Sequence, residues 1–151
     1  MGLDMYLSRH YYVKNWDHMT DAEKHTITIL KGGEASGIPV EKISYIITEE
    51  MYWRKANEIH AWFVDNVQDG NDDCGDYYVA REQLQELLKV VTEVLEDHSL
   101  SKKLLPTRSG FFFGGYDYDK YYFSDMERTQ RELSKILEDT SLGEFYYHSS
   151  W

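Results

Sequence analysis

The chain has 151 residues, a length that suits one domain able to bury a core without metal or disulfide support. Its 27 acidic residues against 16 Lys and Arg give a formal charge of −11, which opposes attraction to duplex nucleic acid or to anionic lipid, so neither partner is expected. The one cysteine, Cys74, excludes an internal disulfide, and with neither a signal-peptide pattern nor a membrane-length apolar run, a reducing cytoplasm is the expected compartment.

From Leu3 to Val13, Leu3, Met5 and Leu7 alternate with Asp4, Tyr6 and Ser8, the period of a half-buried strand. Trp16 to Lys24 reads as a polar connection. His25 to Lys31 alternates again and stops at Gly32 and Gly33, and the β-branched run Lys42 to Glu49 is a third strand candidate. Three strands in succession predict an antiparallel meander.

The period then changes. Ala56, Ile59, His60, Phe63 and Val67 fall on one face at helical spacing and Gly70 supplies a stop, so a helix is predicted over about Trp53 to Gln68. Leu84, Leu87, Leu88, Val91, Val94 and Leu95 form a second amphipathic stripe, over about Arg81 to Asp97. Past Pro106, Phe111 to Gly115 reads as a short strand or turn. Asp117 or Asp119 is placed to cap a third helix carrying Phe123, Met126, Leu133, Ile136 and Leu137, and EFYYH adds a last strand. The expected fold is α+β, with an antiparallel sheet of four to five strands packed against three helices in one domain spanning residues 1–151.

Candidate chemistry concentrates between Met51 and Asp76. Trp53, Asn57 and His60 are spaced four and three apart, neighbours on one helical surface, where a ring beside amide and imidazole groups would hold a planar polar ligand. Arg54 adds a forked cation and Lys55 a point charge for phosphate or carboxylate. The blander reading packs Trp53 on the sheet and hydrogen-bonds His60 in the core. The acids of residues 69–76 miss the calcium-loop pattern, with Val67 where an oxygen ligand belongs, and read as a solvated turn. Cys74 with His60 lacks an identifiable orienting third residue, and zinc lacks ligands at recognisable spacing. No metal, cofactor or catalytic residue is therefore assigned. Gly110 to Phe123 has neither the lysine of a P-loop nor a dinucleotide fingerprint, but Tyr116, Tyr118, Tyr121 and Tyr122 suit a pocket wall opposite the first helix. Thirteen tyrosines exceed what a small core needs, which points to a pocket, an interface or a homo-oligomer.

MGLDMYL, WRKANEIHAWFVDNVQ with DDCGDYYV, and LLPTRSGFFFGGYDYDKYYFSD together resemble a family of small proteins encoded by bacteriophages and prophages. The resemblance implies a phage accessory factor in the cytoplasm of a bacterial host. Proteins of that kind counter host defence by sequestering a nucleotide signal or by blocking a defence enzyme. It carries no active site that can be transferred residue by residue. Two expectations follow: a non-catalytic binder of a small nucleotide-like ligand, or an acidic, tyrosine-rich inhibitor of a host defence protein.

Overall fold

The computed structural model describes residues 2–110 and 112–151. In chain order the elements are strands β1 (Asp4–Tyr12), β2 (Leu30–Lys31), β3 (Glu34–Ala35) and β4 (Tyr45–Arg54), helix α1 (Asn57–Asn66), strand β5 (Asp76–Val79), helices α2 (Arg81–Glu96), α3 (Ser101–Leu104) and α4 (Lys120–Glu138), and strand β6 (Glu144–Ser150). The fold is α+β. β4, β1, β6 and β5 lie side by side in that order, every pairing antiparallel.

This order corrects the expected meander. β1 sits between β4 and β6, so the segment between β1 and β4 is an excursion and not a run of sheet strands. Of His25 to Lys31 only Leu30 and Lys31 are extended, paired with β3 in a separate hairpin. Its two-residue turn, Gly32 and Gly33 with φ of 62° and 83°, needs left-handed backbone at both positions, which glycine adopts without a Cβ penalty. β5, which follows the acidic turn and is too short for its alternation to stand out in the sequence, completes the far edge.

Alternation along β1 and β6 puts Met5, Leu7, Phe145 and Tyr147 on one face, where they join Val79 and the inward residues of α1, α2 and α4 in one core. On β4 the register slips opposite Leu7 and Ser8, which pair with Met51 and Glu49 and leave Glu50 over. That one-residue bulge turns Met51 and Trp53 inward, whereas unbroken alternation from Tyr45 would send them outward. Trp53 is consequently a strand residue and fully buried, with its indole N–H donating to Thr129 Oγ1 on α4 at 2.8 Å. The helix predicted from Trp53 begins instead at Asn57.

α2 and α4 pack against each other. Gln83 accepts from the Ala80 N–H at 2.8 Å at the start of α2. At the start of α4 Asp119 accepts from the Tyr121 and Tyr122 N–H groups at 3.0 and 3.2 Å, so Asp119 is the cap and Asp117 is not. Among the described residues no helix packs on the opposite face of the sheet, which presents Tyr6, Tyr12, Tyr45, Tyr78, Tyr146, His10 and His148. No helix among the described residues is long and apolar enough to cross a membrane.

Candidate functional site

Between the end of β4 and the start of α4 lies an open cavity of about 370 Å³, within the usual range for small-ligand sites. Arg54 and Lys55 border it on one side, Gly114, Gly115, Tyr121 and Tyr122 on another, and Glu58, Asp119 and Asp125 bring carboxyl groups to it.

Local backbone geometry sets this arrangement. Lys55 has φ of 57°, a left-handed conformation that costs a non-glycine residue about 1 kcal/mol or more. The bend ends β4 and starts α1 two residues later, with the Lys55 N–H donating to Leu3 O at 2.7 Å and Lys55 O accepting from the Asn57 N–H at 3.0 Å. Gly114, at φ of 89°, crosses directly over this bend, and a Cβ there would lie 3.1 Å from the Lys55 Cβ. Asn57 fastens the same loop from below, its amide donating to Phe113 O and Gly115 O at 3.1 and 2.8 Å and its oxygen accepting from the Arg108 N–H at 2.9 Å.

Electrostatically the cavity is two-sided. Glu58, in the first turn of α1, is only 4% exposed, and its Oε1 has no hydrogen-bond partner. Burial, reinforced by Asp125 and Asp119, pushes its carboxyl up to about 8, against its own backbone N–H. Asp125 is pushed up to about 6 by burial and opposed by Arg128. At neutral pH Glu58 is thus mostly a carboxylic acid, able to donate as well as accept, while Asp125 is mostly ionised. Tyr122 anchors the wall by donating to Leu105 O at 2.8 Å. Tyr121 is exposed, with the Lys120 ammonium 5.0 Å from its ring centre.

Of the residues singled out from sequence, Arg54, Lys55, Tyr121 and Tyr122 meet at this cavity. Tyr118 stands behind it, in edge contact with Tyr122 and accepting from the Thr107 N–H, and Tyr116 projects outward. Phe111 lies outside the described residues. Trp53, Asn57 and His60 are interior and hydrogen-bonded, not cavity-lining. Glu58 and Asp125 were missed. The one signal for Glu58 is its position in ANEIHAWFV, a helix start with almost no other charge.

His60 belongs to a separate buried relay. Nδ1 lies 2.7 Å from the Tyr147 hydroxyl and Nε2 lies 3.0 Å from Asp72 Oδ1. A carboxylate only accepts, so Nε2 carries the proton and Tyr147 donates to Nδ1. Burial holds the His60 pKa below the ordinary imidazole range and the Tyr147 hydroxyl well above its own. Asp72 is the orienting residue that sequence alone did not reveal, but the nitrogen a thiol would use is occupied by Tyr147. Asp72 also accepts from the Trp151 indole at 3.0 Å and Asp73 from the Tyr77 hydroxyl at 2.8 Å. Among the described residues no three His, Cys, Asp or Glu side chains are grouped to hold a metal ion. No family model, curated protein or solved structure matches the chain.

Proposed function

We propose that the protein is a non-catalytic binder that sequesters a small nucleotide-like ligand in the cavity between β4 and α4, as a phage accessory factor acting against host defence. The observation that carries this reading is the convergence of Arg54, Lys55, the Tyr121 and Tyr122 rings and the buried Glu58 carboxyl around one opening. Tyr121 offers a stacking face for a base. A neutral carboxyl that donates and accepts matches the paired acceptor and donor on the edge of an adenine-type base. The two cations suit a phosphate. Asp117, Asp119 and Asp125 oppose them, so the site favours a ligand with one or two negative charges over a polyphosphate. The phage setting rests on the resemblance of the three sequence stretches.

The test is to incubate the protein with cyclic dinucleotides and ADP-ribose derivatives, heat-denature it, and analyse what is released. Unchanged ligand in the released fraction is the expected result. A processed product would make the protein an enzyme. No retention of any of these, with an unshifted melting temperature, would remove the binder reading. Removing both cations, as Arg54→Ala with Lys55→Asn, should weaken retention at least about tenfold, the loss of roughly one charge-assisted hydrogen bond. Asn tolerates the left-handed backbone at position 55 and so separates lost charge from added strain.

A second reading, an acidic inhibitor of a host defence protein, is favoured by the helix-free sheet face. There Tyr6, Tyr12, Tyr45, Tyr52, Tyr78 and Tyr146 share one face, in two groups of touching rings, one of them joined through His10, which suits protein contact. Complex formation with a basic target would weaken with salt and would be lost on substituting Tyr45 and Tyr78, both exposed, while the Arg54 and Lys55 variants would bind normally.

A further inference from the structure

The helix-free face holds a second cavity, of about 610 Å³, bordered by His10, Tyr12, Tyr45, Leu142, Gly143 and Glu144. Sheet register builds it. Tyr12 is directly opposite Tyr45, and His10 is opposite Glu144 on the other side of β1, so three rings and one carboxylate are gathered from three strands. The Tyr12 and Tyr45 rings meet at 65° with centres 5.1 Å apart, and His10 and Tyr45 at 64° with centres 6.4 Å apart. Tyr146 stacks on His10 at 4.1 Å and braces it. Its hydroxyl reaches Glu144 at 3.4 Å, a long contact that leaves most of the carboxylate's accepting capacity open. Tyr12 is held in turn by the Trp16 indole N–H at 3.0 Å.

Aromatic faces carry partial negative charge, the three rings border one volume, and Glu144 adds a full charge beside it. Among the described residues no Lys or Arg borders the cavity, and the chain's −11 charge deepens the potential. Such a volume attracts cations. A strongly hydrated metal ion would need several oxygen or nitrogen ligands, and one carboxylate with one imidazole does not provide them. A poorly hydrated organic ammonium needs only ring faces and a counter-charge. The side chain of Leu142, at 93% exposure, stands at the rim where it can cover methyl groups or a carrier chain, and the volume exceeds what a bare headgroup fills.

We infer that the ring cluster of His10, Tyr12 and Tyr45 with Glu144 is a binding site for a methylated ammonium group, separate from the cavity between β4 and α4. The probe is choline, compared with its uncharged tert-butyl isostere, which has the same shape without the charge. Choline should show upfield-shifted methyl protons in NMR titration and bind at least about tenfold tighter than the isostere. Tyr45→Leu and Glu144→Gln should each weaken it at least about threefold. Both positions are solvent-exposed, and an unchanged melting temperature would show that folding is intact. Equal affinity for the charged and uncharged compounds would overturn the proposal, as would choline binding unaffected by both substitutions. A short peptide containing trimethyllysine distinguishes the sources of the group. Binding about tenfold tighter than choline assigns the site to a partner's side chain, and equal binding assigns it to a free small cation. Because neither variant touches Arg54 or Lys55, nucleotide retention should be unaltered in both.

Discussion

Glu58 and Arg9 show how differently a buried charge can be accommodated. Glu58 has an unpaired oxygen and a pKa raised from 4.5 to about 8. Between those values the folded state holds a proton that the unfolded state has lost, so this residue's contribution to stability falls as pH rises through that window. Glu58→Gln removes the titration. Wild-type melting temperature should drop between pH 5 and pH 9 by more than that of the variant, which calorimetry at several pH values would read. Ligand bound at Glu58 should narrow the difference. His60 acts at the other end. Its pKa is lowered by burial, so the unfolded state takes up a proton first, and stability falls as pH drops below the ordinary imidazole value near 6.5.

Arg9, with no exposed surface, is neutralised by two carboxylates, although its Nε forms no aligned hydrogen bond. Its Nε lies 3.0 Å from Glu50, its Nη1 donates to Asp139 and Ser141 at 3.0 and 2.8 Å, and its guanidinium lies 4.3 Å from the centre of the Phe145 ring. It joins β1, the β4 bulge and the end of α4. Arg9→Ala should cost about 3 kcal/mol, because Glu50 would be left half-buried without its cation. Urea denaturation at neutral pH would measure the loss.

At the scale of elements, the α2 and α4 stripes and β1 were legible because each has one buried and one exposed face, and a repeating pattern reports one-sidedness. A cap at Asp117 or Asp119 was legible from residue type, the structure selects Asp119, and Asp119→Ala should lower stability by about 1 kcal/mol in thermal melts. α1 was harder to delimit. Every residue from Asn57 to Val64 is buried, so no polar stripe marks where the helix begins, and helical spacing from Asn57 back to Trp53 extends the predicted helix by a turn. The bulge at Glu50 hid the strand parity of Trp53. Arg54 and Lys55 were recognisable as candidate ligand cations opposite the tyrosines of Gly110–Phe123, but which side chains faced them was decided by the left-handed bend at Lys55, and a lysine in that conformation leaves no mark in composition. β5 is four residues long and follows an acidic turn, too short for alternation to outweigh its neighbours.

Across the whole molecule, strand order is what local patterns did not convey. A meander would place neighbouring strands side by side, whereas here the chain leaves β1, returns as β4 on one side, and passes through α1, β5, α2, α3 and α4 before β6 fills the other. The same order separates two surfaces. One cavity opens where helices meet the sheet, and the other opens on the face that no helix covers, so ligand binding at one should leave the other's affinity unchanged. Titrating choline with and without a retained nucleotide would check that independence.

Because β6 lies between β1 and β5, a nascent chain on the ribosome cannot close its sheet until Glu144–Ser150 has been synthesised. Until then β1 and β5 each carry a row of open backbone donors and acceptors, so a version ending at Gly143 should not fold to a smaller domain but self-associate through those edges. Sedimentation of such a version should give aggregates, and adding a peptide of the β6 sequence during refolding should recover monodisperse protein.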